Sequence, residues 1–536
     1  MYLRSIALFI LLSGPFAVIS TLAPRDSIAL QNDARAVATG VVYHDANGNR
    51  KHDEGEKRLA GIRVSNGVQI TKTDNDGVYK LPVTDDTLLF VIKPRNWRTP
   101  LSKNNTPEFY YNHKPHGSPK GLRYAGVAPT GPLPPTVNFP LYPQEEPDQF
   151  RALMFGDPQP SNQKEIDYIA HDVIEELVGT DASFGVTLGD ILFDDLSLFE
   201  SQARTIALLG IPWYNVIGNH DINLEATHDR YSDETFERHF GPTYYSFDYG
   251  AAHFIVLDNI EWLVDTPGSK GRYQPGLGKE QLAFVKRDLS LIPKDQLVVL
   301  LMHVPLIDTE DRQGLYRLIE ERPFCISLSG HTHHHEHRFI TREDGWQGAE
   351  PHHHIINVTV SGSWWSGAPD ERGIPHTMMA DGAPNGYTIL SFDGHKYTVD
   401  FKAASQPAAY QMRIHAPDVV ATNEATKTDI YVNVFNGSER SKVEMRLGAD
   451  APWTLMQRKV VNDPAFTAIA AAELANKEKS WPSLPAPKAS THLWHAMLPK
   501  DLSPGTHLLE VRTVDMHGRT YHGRRVLRIQ PAPNKP

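Results

Sequence analysis

The chain has 536 residues, of which 40% are hydrophobic, and it carries a formal net charge of −11 at pH 7. This length exceeds what one hydrophobic core supports, so we expect roughly two to four domains. The negative charge argues against a broad nucleic-acid surface, because phosphate backbones bind clusters of Lys and Arg. Cys325 is the only cysteine, which excludes an intrachain disulfide.

The N-terminal stretch MYLRSIALFILLSGPFAVIS combines an early arginine, an apolar run and then small residues. This order is typical of a secretory signal peptide, and we predict one over residues 1–23. An N-terminal membrane anchor is the alternative, but the apolar run is short and is interrupted by Ser13, Gly14 and Pro15. We therefore expect a periplasmic or secreted protein without an integral membrane span in its mature chain.

Residues 36–147 predict an N-terminal β module, because short apolar runs alternate with turns rich in Gly, Asn and Asp. The stretch 127–147 is dense in proline and is interpreted as a linker or edge segment. The loop DANGNRKHDEGE has the side-chain oxygens of a calcium loop at Asp45, Asn47, Asn49, Asp53 and Glu56. Arg50 replaces the glycine usual in such loops, so an ordinary turn without calcium is the alternative.

From residue 148 strands alternate with helices, and this alternation predicts an α/β domain over 148–403. Buried-strand patterns in this region end in the polar clusters GDPQ, GD, GNHD, MHVP and GHTH. Residues 408–533 return to alternating apolar and polar positions, which predicts a β-sandwich with a helix near PAFTAIAAAELANK.

The polar clusters supply candidate metal ligands, because strand ends at one edge of an α/β sheet converge. Their side chains are carboxylates, amides and imidazoles without a thiolate, a set that suits Mn, Fe or Zn better than Ca or Mg. The residues are Asp157, Gln159, Asp190, Asn219, His220, Asp221, His303, His331 and His333.

The order of these clusters resembles the calcineurin-like metallophosphoesterases over roughly residues 150–403. With its flanking regions, the chain is similar to exported bacterial members that carry an N-terminal β module and a C-terminal metallophosphatase-associated domain. The resemblance implies a multidomain α+β protein in which a central αββα sandwich is flanked by two small β-sandwich domains.

The resemblance also implies two divalent transition metals. The first would be held by Asp157, Gln159, Asp190 and His333, and the second by Asp190, Asn219, His303 and His331, so that Asp190 bridges them. His220 would be the general acid, and either Asp221 or Asp194 would keep it charged. Gln159 stands where many members have histidine. Phe193 stands where some relatives have the aspartate that pairs with the acid, and either of the two residues that follow, Asp194 or Asp195, is a candidate to meet His220 instead.

These features predict an exported dinuclear metallophosphoesterase that acts on a small phosphate monoester, diester or pyrophosphate. Two cations would activate hydroxide for attack on phosphorus, and His220 would protonate the leaving group. The alternative is a non-catalytic surface or binding protein built on a decayed hydrolase domain, but the complete ligand set argues against decay. A metallopeptidase lacks support, because the chain has no HExxH motif.

Other residues near the last cluster are expected to pack or to face solvent. We predict that His334, His335, His337 and the stretch PHHHII are solvated loop residues, and that His354 lies at the surface or packs in the core rather than reaching the cleft. Trp364 and Trp365 could line the pocket and stack on a base, a sugar or another substrate group. Core packing is expected for at least one of them, because neighbouring strand residues face opposite ways.

Overall fold

The computed structural model describes residues 36–266 and 268–532. The predicted signal peptide over residues 1–23 lies outside these ranges. Across the described ranges, no helix is both long enough and apolar enough to cross a membrane.

The N-terminal β module is a sandwich of two four-stranded sheets, with the orders β4-β1-β8-β6 and β3-β2-β5-β7. The strands are β1 (Ala36–His44), β2 (Arg63–Ser65), β3 (Ile70–Lys72), β4 (Val78–Val83), β5 (Thr87–Val91), β6 (Trp97–Arg98), β7 (Tyr110–His113) and β8 (Phe139–Pro143). Strand β8 comes from the proline-rich stretch and pairs in parallel with β1. That stretch therefore contributes a strand of the sandwich in addition to connecting it to the next domain.

Two mixed sheets form the centre of the molecule, with the orders β11-β10-β9-β20-β21 and β12-β13-β16-β17-β19-β18, beside a two-stranded ribbon of β14 and β15. The strands are β9 (Gln149–Phe155), β10 (Phe184–Leu188), β11 (Trp213–Val216), β12 (Tyr245–Tyr249), β13 (Ala252–Val256), β14 (Ile260–Leu263), β15 (Arg272–Pro275), β16 (Leu297–Leu301), β17 (Cys325–Ser329), β18 (Glu336–Ile340), β19 (His352–Ile356), β20 (Gly386–Asp393) and β21 (Lys396–Ala403). The two sheets share one core, in which the rings of Phe184 and Phe254 lie 5.2 Å apart.

Helices cover the outer faces of both central sheets. They are α1 (Gln163–Ile169), which continues through a π-helical turn (Ala170–Ile174) into α2 (Glu175–Leu177), then α3 (Phe199–Ile206), α4 (Glu234–Phe240), α5 (Gly278–Leu289) and α6 (Arg312–Ile319), with short 3₁₀ turns at Leu196–Leu198, Ala207–Leu209, Asp229–Tyr231, Leu306–Asp308 and Arg342–Asp344. Ile169 and Ile206 pack against Phe155 of the first sheet, and Phe284 and Tyr316 belong to the core of the second.

Parallel pairing explains why the polar clusters converge. Strands β9, β10 and β11 run parallel in the first sheet, and β16 and β17 run parallel in the second. Each of these five strands is followed directly by one of the clusters. The carboxyl ends of parallel strands lie at one edge of a sheet, so the topology brings the candidate ligands to that edge.

The C-terminal region is a second sandwich, with sheets ordered β22-β24-β28-β27 and β23-β30-β29-β25-β26. Its elements are β22 (Met412–His415), β23 (Val419–Ala421), a 3₁₀ turn (Thr422–Lys427), β24 (Asp429–Val434), β25 (Lys442–Leu447), β26 (Thr454–Leu455), β27 (Gln457–Asn462), α7 (Pro464–Ala475), β28 (Ala489–Met497), β29 (Gly505–Val514) and β30 (Thr520–Gln530). Helix α7 starts where a proline follows Asp463, whose side chain accepts from the N–H groups of Ala465 and Phe466.

A buried ionic network joins the N-terminal sandwich to the central sheets. Arg63 lies 2.6 Å from Asp248 and 3.0 Å from Asp288, and His253 contacts the remaining oxygen of each carboxylate. Removing one partner of a buried pair of this kind typically costs about 3–5 kcal/mol. The two β-sandwiches on either side of the paired central sheets confirm the predicted fold class, a multidomain α+β protein with a central αββα sandwich.

Candidate metal centre

Five of the seven candidate ligands sit on strained backbone. Eight residues at the site have positive φ angles between 37° and 76°, although none of them is glycine. They are Asp157, Gln159, Asp190, Asp194, His331, His333, Trp364 and Trp365. Such conformations cost of order 1–3 kcal/mol each and persist where the surrounding structure enforces them, which is typical of functional sites.

The first group of donors contains the residues predicted to hold the second metal: Asp190, Asn219, His303 and His331. His303 Nε2 lies 3.2 Å from Asp190 Oδ1, 3.1 Å from Asn219 Oδ1 and 3.2 Å from His331 Nδ1. The ligand atoms of Asp190, His303 and His331 all lie within 4.8 Å of one another. One proton cannot satisfy a nitrogen that faces three electron-pair donors, so the arrangement fits a cation.

The second group of donors contains the residues predicted to hold the first metal: Asp157, Gln159, Asp190 and His333. His333 Nε2 lies 3.4 Å from Asp157 Oδ2, and Gln159 Nε2 donates to Asp190 Oδ2 at 3.0 Å. The Gln159 Oε1 atom is buried and has no hydrogen-bond partner among the described residues, as expected of an oxygen that would face a metal. Asp190 thus presents Oδ1 to the first group and Oδ2 to the second.

Backbone carbonyls set the tautomers of two site histidines. His303 Nδ1 donates to the carbonyl of Leu188 at 2.8 Å, and His333 Nδ1 donates to the carbonyl of Gly362 at 2.6 Å. Each ring then directs an unprotonated Nε2 into the site when it is neutral, which is how histidine ligands are usually oriented. Burial, together with the charge of His303, lowers the pKa of His331 to about 4, so the His331 imidazole is neutral near pH 7.

Two glycines allow the strand ends to approach one another. A Cβ atom on Gly218 would lie 2.3 Å from Asp190 Oδ1, and one on Gly330 would lie 2.2 Å from Asp157 Oδ1. Real Cβ atoms do not come this close, so the Gly of GNHD and the Gly of GHTH are needed for close packing at the centre. The pKa of Asp190 is lowered, because His303, His220 and His331 outweigh the opposing effect of burial.

His220 is paired with Asp194. Its Nδ1 lies 2.7 Å from Asp194 Oδ1, its backbone N–H donates to Asp190, and its side chain is 25% exposed. Burial lowers the pKa of His220, but the bond to Asp194 and the charge of Asp190 raise it more, so the net shift is upward. Asp221 instead accepts from the backbone N–H groups of residues 191, 192 and 218 and thereby ties the loops after β10 and β11 together.

The two tryptophans occupy different environments, and Trp365 is not a pocket residue. Trp365 is 2% exposed, packs in the core beneath the first sheet, and donates to the carbonyl of Pro158. Trp364 is 42% exposed and stacks on the His333 ring with centroids 4.0 Å apart. Both lie in a turn with left-handed backbone rather than in a strand, so strand alternation is not the reason for their difference.

The prediction that the remaining histidines of GHTHHHEH are solvated is wrong. His335 and His337 are buried, and both contact the side-chain oxygen of Asn436 in the C-terminal sandwich, at 3.1 and 2.9 Å. The His335 N–H donates to Asp381, and His334 is partly buried beside Glu336. Residues 335, 337 and 339 alternate as buried positions, a period-two signal of strand structure that the histidines obscured.

The stretch PHHHII is also buried, because it contains strand β19 in the interior of the second sheet. His353 bonds His337 at 2.9 Å and the hydroxyl of Tyr397 at 2.7 Å. His354 bonds Ser327 and Ser329 and does not enter the donor groups described above. The C-terminal sandwich thus braces the loop that carries His331 and His333 through a chain of buried imidazoles.

The oxygen-bearing side chains of the predicted calcium loop lie together: Asp45, Asn47, Asn49, Asp53 and Glu56. Asp45 accepts from the N–H groups of residues 48–50 and from the Tyr142 hydroxyl. Both asparagines donate to Asp53, at 2.8 and 2.7 Å. These hydrogen bonds close the loop on itself, and calcium binding there stays a prediction.

Comparison with models of known protein families identifies the class of protein. A model described as Calcineurin-like phosphoesterase matches residues 150–335, and models of the N-terminal and C-terminal parts of Calcineurin-like phosphoesterase match residues 45–125 and 354–521. The chain belongs to the calcineurin-like phosphoesterases and is a metal-dependent phosphoesterase with both companion domains. A comparison with curated proteins gave no match.

Solved structures resemble the chain only weakly. Purple acid phosphatase PPD1 from yellow lupin (Lupinus luteus) seeds is 14% identical over 65% of this chain and 75% of that chain, with a TM-score of 0.35. CopC from Methylosinus trichosporium OB3b is 15% identical over 23% of this chain and 90% of that chain, with a TM-score of 0.14. Superoxide reductase (neelaredoxin) from Ignicoccus hospitalis is 9% identical over 23% and 81%, with a TM-score of 0.12. At these scores none of the three informs the function.

The buried histidines make stability depend on pH. Burial lowers the pKa of His354 to about 3, below the value of about 6.5 in an unfolded chain. Between these two pH values the unfolded chain binds more protons than the folded chain. The free energy of unfolding is therefore highest above about pH 6.5 and decreases by about 1.4 kcal/mol per unit as the pH falls. In a chelator, the unfolding temperature should drop from about pH 7 to about pH 5, and less steeply for His354→Asn.

His116→Gln is the matched control, because the His116 side chain is 88% exposed. Its unfolding temperature should follow that of the wild type at every pH. The same pH dependence in His354→Asn and in the wild type would show that burial of His354 does not cause the loss of stability.

Proposed function

We propose that this chain is an exported, dinuclear metal-dependent phosphoesterase, with Asp190 shared between two divalent cations and His220 as general acid. The observation that carries the proposal is the position of Asp190, whose two oxygens face different groups of donors at 3.0–3.2 Å. Substrates of this family are small phosphoesters, and cleavage of a monoester, a diester or a pyrophosphate would be compatible with these residues.

The donors present fit the cations that the proposal requires. Asp157, Gln159, Asp190 and His333 would hold one, and Asp190, Asn219, His303 and His331 the other. When bound, two such cations supply charge neutralisation of the phosphate oxygens and a water molecule of lowered pKa. Carboxylate, amide and imidazole donors favour Mn, Fe or Zn, and the uncharged amide of Gln159 favours a harder ion such as Mn²⁺.

His220 is oriented for proton donation. Because Nδ1 is engaged by Asp194, the Nε2 proton of the charged imidazole is the one available to a leaving oxygen. The upward shift in its pKa favours the protonated form of the ring. Phe193 stacks on the same ring at 4.5 Å between centroids and limits its rotation.

The wider setting is also a proposal. The pattern of residues 1–23 supports export to the periplasm or beyond, and the net charge of −11 supports a small-molecule substrate rather than a nucleic acid. The alternative of a non-catalytic binding protein requires a decayed centre, whereas every donor of both groups and the His220–Asp194 pair is present. Calcium in the loop 45–56 is a separate proposal, supported by its five oxygen-bearing side chains.

Asp190→Asn tests the dinuclear centre. The variant removes the shared negative charge, so phosphoester turnover with Mn²⁺ should fall by more than about 100-fold, since even the outer partners of metal ligands contribute about 10–100-fold. Elemental analysis should also show less bound metal. Asp181→Asn is the control, because Asp181 is 72% exposed on the surface. Full activity and unchanged metal content in Asp190→Asn would refute the proposal.

His220→Asn tests the general acid. Loss of proton donation should slow hydrolysis of an alkyl phosphoester by about 10²–10⁴-fold. A p-nitrophenyl ester should be affected far less, because its leaving group departs readily without a proton. The assay compares kcat for the two ester types in the wild type and the variant, at equal metal content. An equal loss on both esters would contradict the assigned role.

A further inference from the structure

Exposed aromatic side chains occur at only one place on the described surface. Across residues 36–266 and 268–532, the Phe, Tyr and Trp side chains more than one third exposed are Phe193, Tyr273 and Trp364, at 37%, 36% and 42%. All other aromatic side chains of these types in the described ranges are buried or half-buried. Since exposed aromatic surface is unfavourable in water, its restriction to three neighbouring positions needs a reason.

Each of the three side chains contacts a different histidine of the metal centre. Phe193 stacks on His220 with ring centroids 4.5 Å apart and an interplanar angle of 18°. Trp364 stacks on His333 at 4.0 Å and 25°. The Tyr273 ring meets His331 edge-on at 6.0 Å, with its hydroxyl 3.5 Å from Nε2.

The three rings therefore contact three different histidines of the centre. Phe193 lies beside the proposed proton donor, Trp364 lies over a ligand of the Asp157 group, and Tyr273 lies beside a ligand of the His303 group. Phe193 and Trp364 each use one ring face against an imidazole, and both keep substantial exposed surface. That surface lies beside His220 and His333, the two imidazoles that the rings contact.

The backbone at Trp364 adds a second observation. Its φ angle of 54° is one that bulky residues rarely adopt, and glycine would be favoured there. The chain accepts this strain while leaving the indole more than two fifths exposed, so the ring gains little from burial. Strain of this kind is characteristic of positions where a side chain is held for a ligand.

We propose that Phe193, Tyr273 and Trp364 form an aromatic subsite that binds a planar aromatic group of the substrate, an aryl group or a nucleobase. The inference rests on the proposed function, because it assigns the substrate class of the same centre. Aromatic rings stack on aromatic rings in offset or edge-on arrangements, so a flat group joined to the phosphate gains contacts that a compact polyol or alkyl group does not.

Calorimetry on the Mn²⁺-loaded protein tests the subsite without catalysis. Phenylphosphonate and methylphosphonate present the same phosphonate to the metals and differ in the aromatic ring. The wild type should bind phenylphosphonate roughly 10-fold more tightly, as expected of aromatic stacking. Equal affinities, or no binding of phenylphosphonate, would overturn the proposal.

Trp364→Gly separates this role from a structural one. Glycine relieves the left-handed backbone, so the unfolding temperature should not fall, while the preference for phenylphosphonate should drop below about 3-fold. Phe193→Ala should reduce the preference as well, at unchanged metal content. Leu208→Ala is the control, because Leu208 is 64% exposed in the Ala207–Leu209 turn. A preference that persists in both aromatic variants would overturn the subsite.

A hydrolysis comparison distinguishes the two sources of the aromatic group. Adenosine 5′-monophosphate and ribose 5-phosphate share the reacting bond and differ in the nucleobase. A kcat/KM that is several-fold higher for the nucleotide, and that falls to parity in Trp364→Gly, supports a nucleobase. Equal kcat/KM values alongside the phenylphosphonate preference support an aryl group. If no phosphoester is cleaved while the preference for phenylphosphonate persists, the proposed activity fails and the subsite stands.

Discussion

The two carboxylate oxygens of Asp190 face two different groups of donors in the protein interior. An unpaired negative charge is strongly unfavourable in such a buried position. The side chain is 2% exposed, and the groups that lower its pKa are imidazoles. Gln159 and His303 contact this carboxylate directly, one at each oxygen. The arrangement makes chemical sense when the charge of Asp190 is shared by cations on both sides.

The fold delivers the ligands in two ways. Parallel strands bring five chain segments to one edge, and left-handed turns then aim their side chains inward. The C-terminal sandwich adds support, because Asn436 contacts His335 and His337 on the segment that follows the last ligands. This domain therefore takes part in holding the metal centre, and it is more than an appended module. The backbone N–H of His335 also donates a hydrogen bond to Asp381, which helps to fix the same segment.

Much of this architecture could be predicted from sequence because it depends on local patterns. Apolar runs that end in Gly-Asp, Gly-Asn-His-Asp and Gly-His-x-His mark strand ends, and helical periodicity marks the layers between them. The burial of His335, His337 and His353 could not be predicted in the same way. Asn436, the partner of His335 and His337 in the C-terminal sandwich, lies about 100 positions away in the sequence. His353 is buried through its contacts with His337 and Tyr397, which the polar tract does not reveal. The different environments of Trp364 and Trp365 arise from a left-handed turn that the sequence composition does not reveal. Asp194 rather than Asp221 pairs with His220, because the Asp221 carboxylate accepts hydrogen bonds from three backbone N–H groups.

The central claim is that one aspartate bridges two cations, and anomalous diffraction tests it most directly. Crystals grown with Mn²⁺ should show two anomalous peaks about 3.5–4 Å apart. The Asp190 carboxylate should lie within coordination distance of both peaks, through one shared oxygen or through one oxygen to each. One peak should lie near His303 and His331, and the other near Asp157 and His333. A single peak, or two peaks that Asp190 does not contact, would contradict the account.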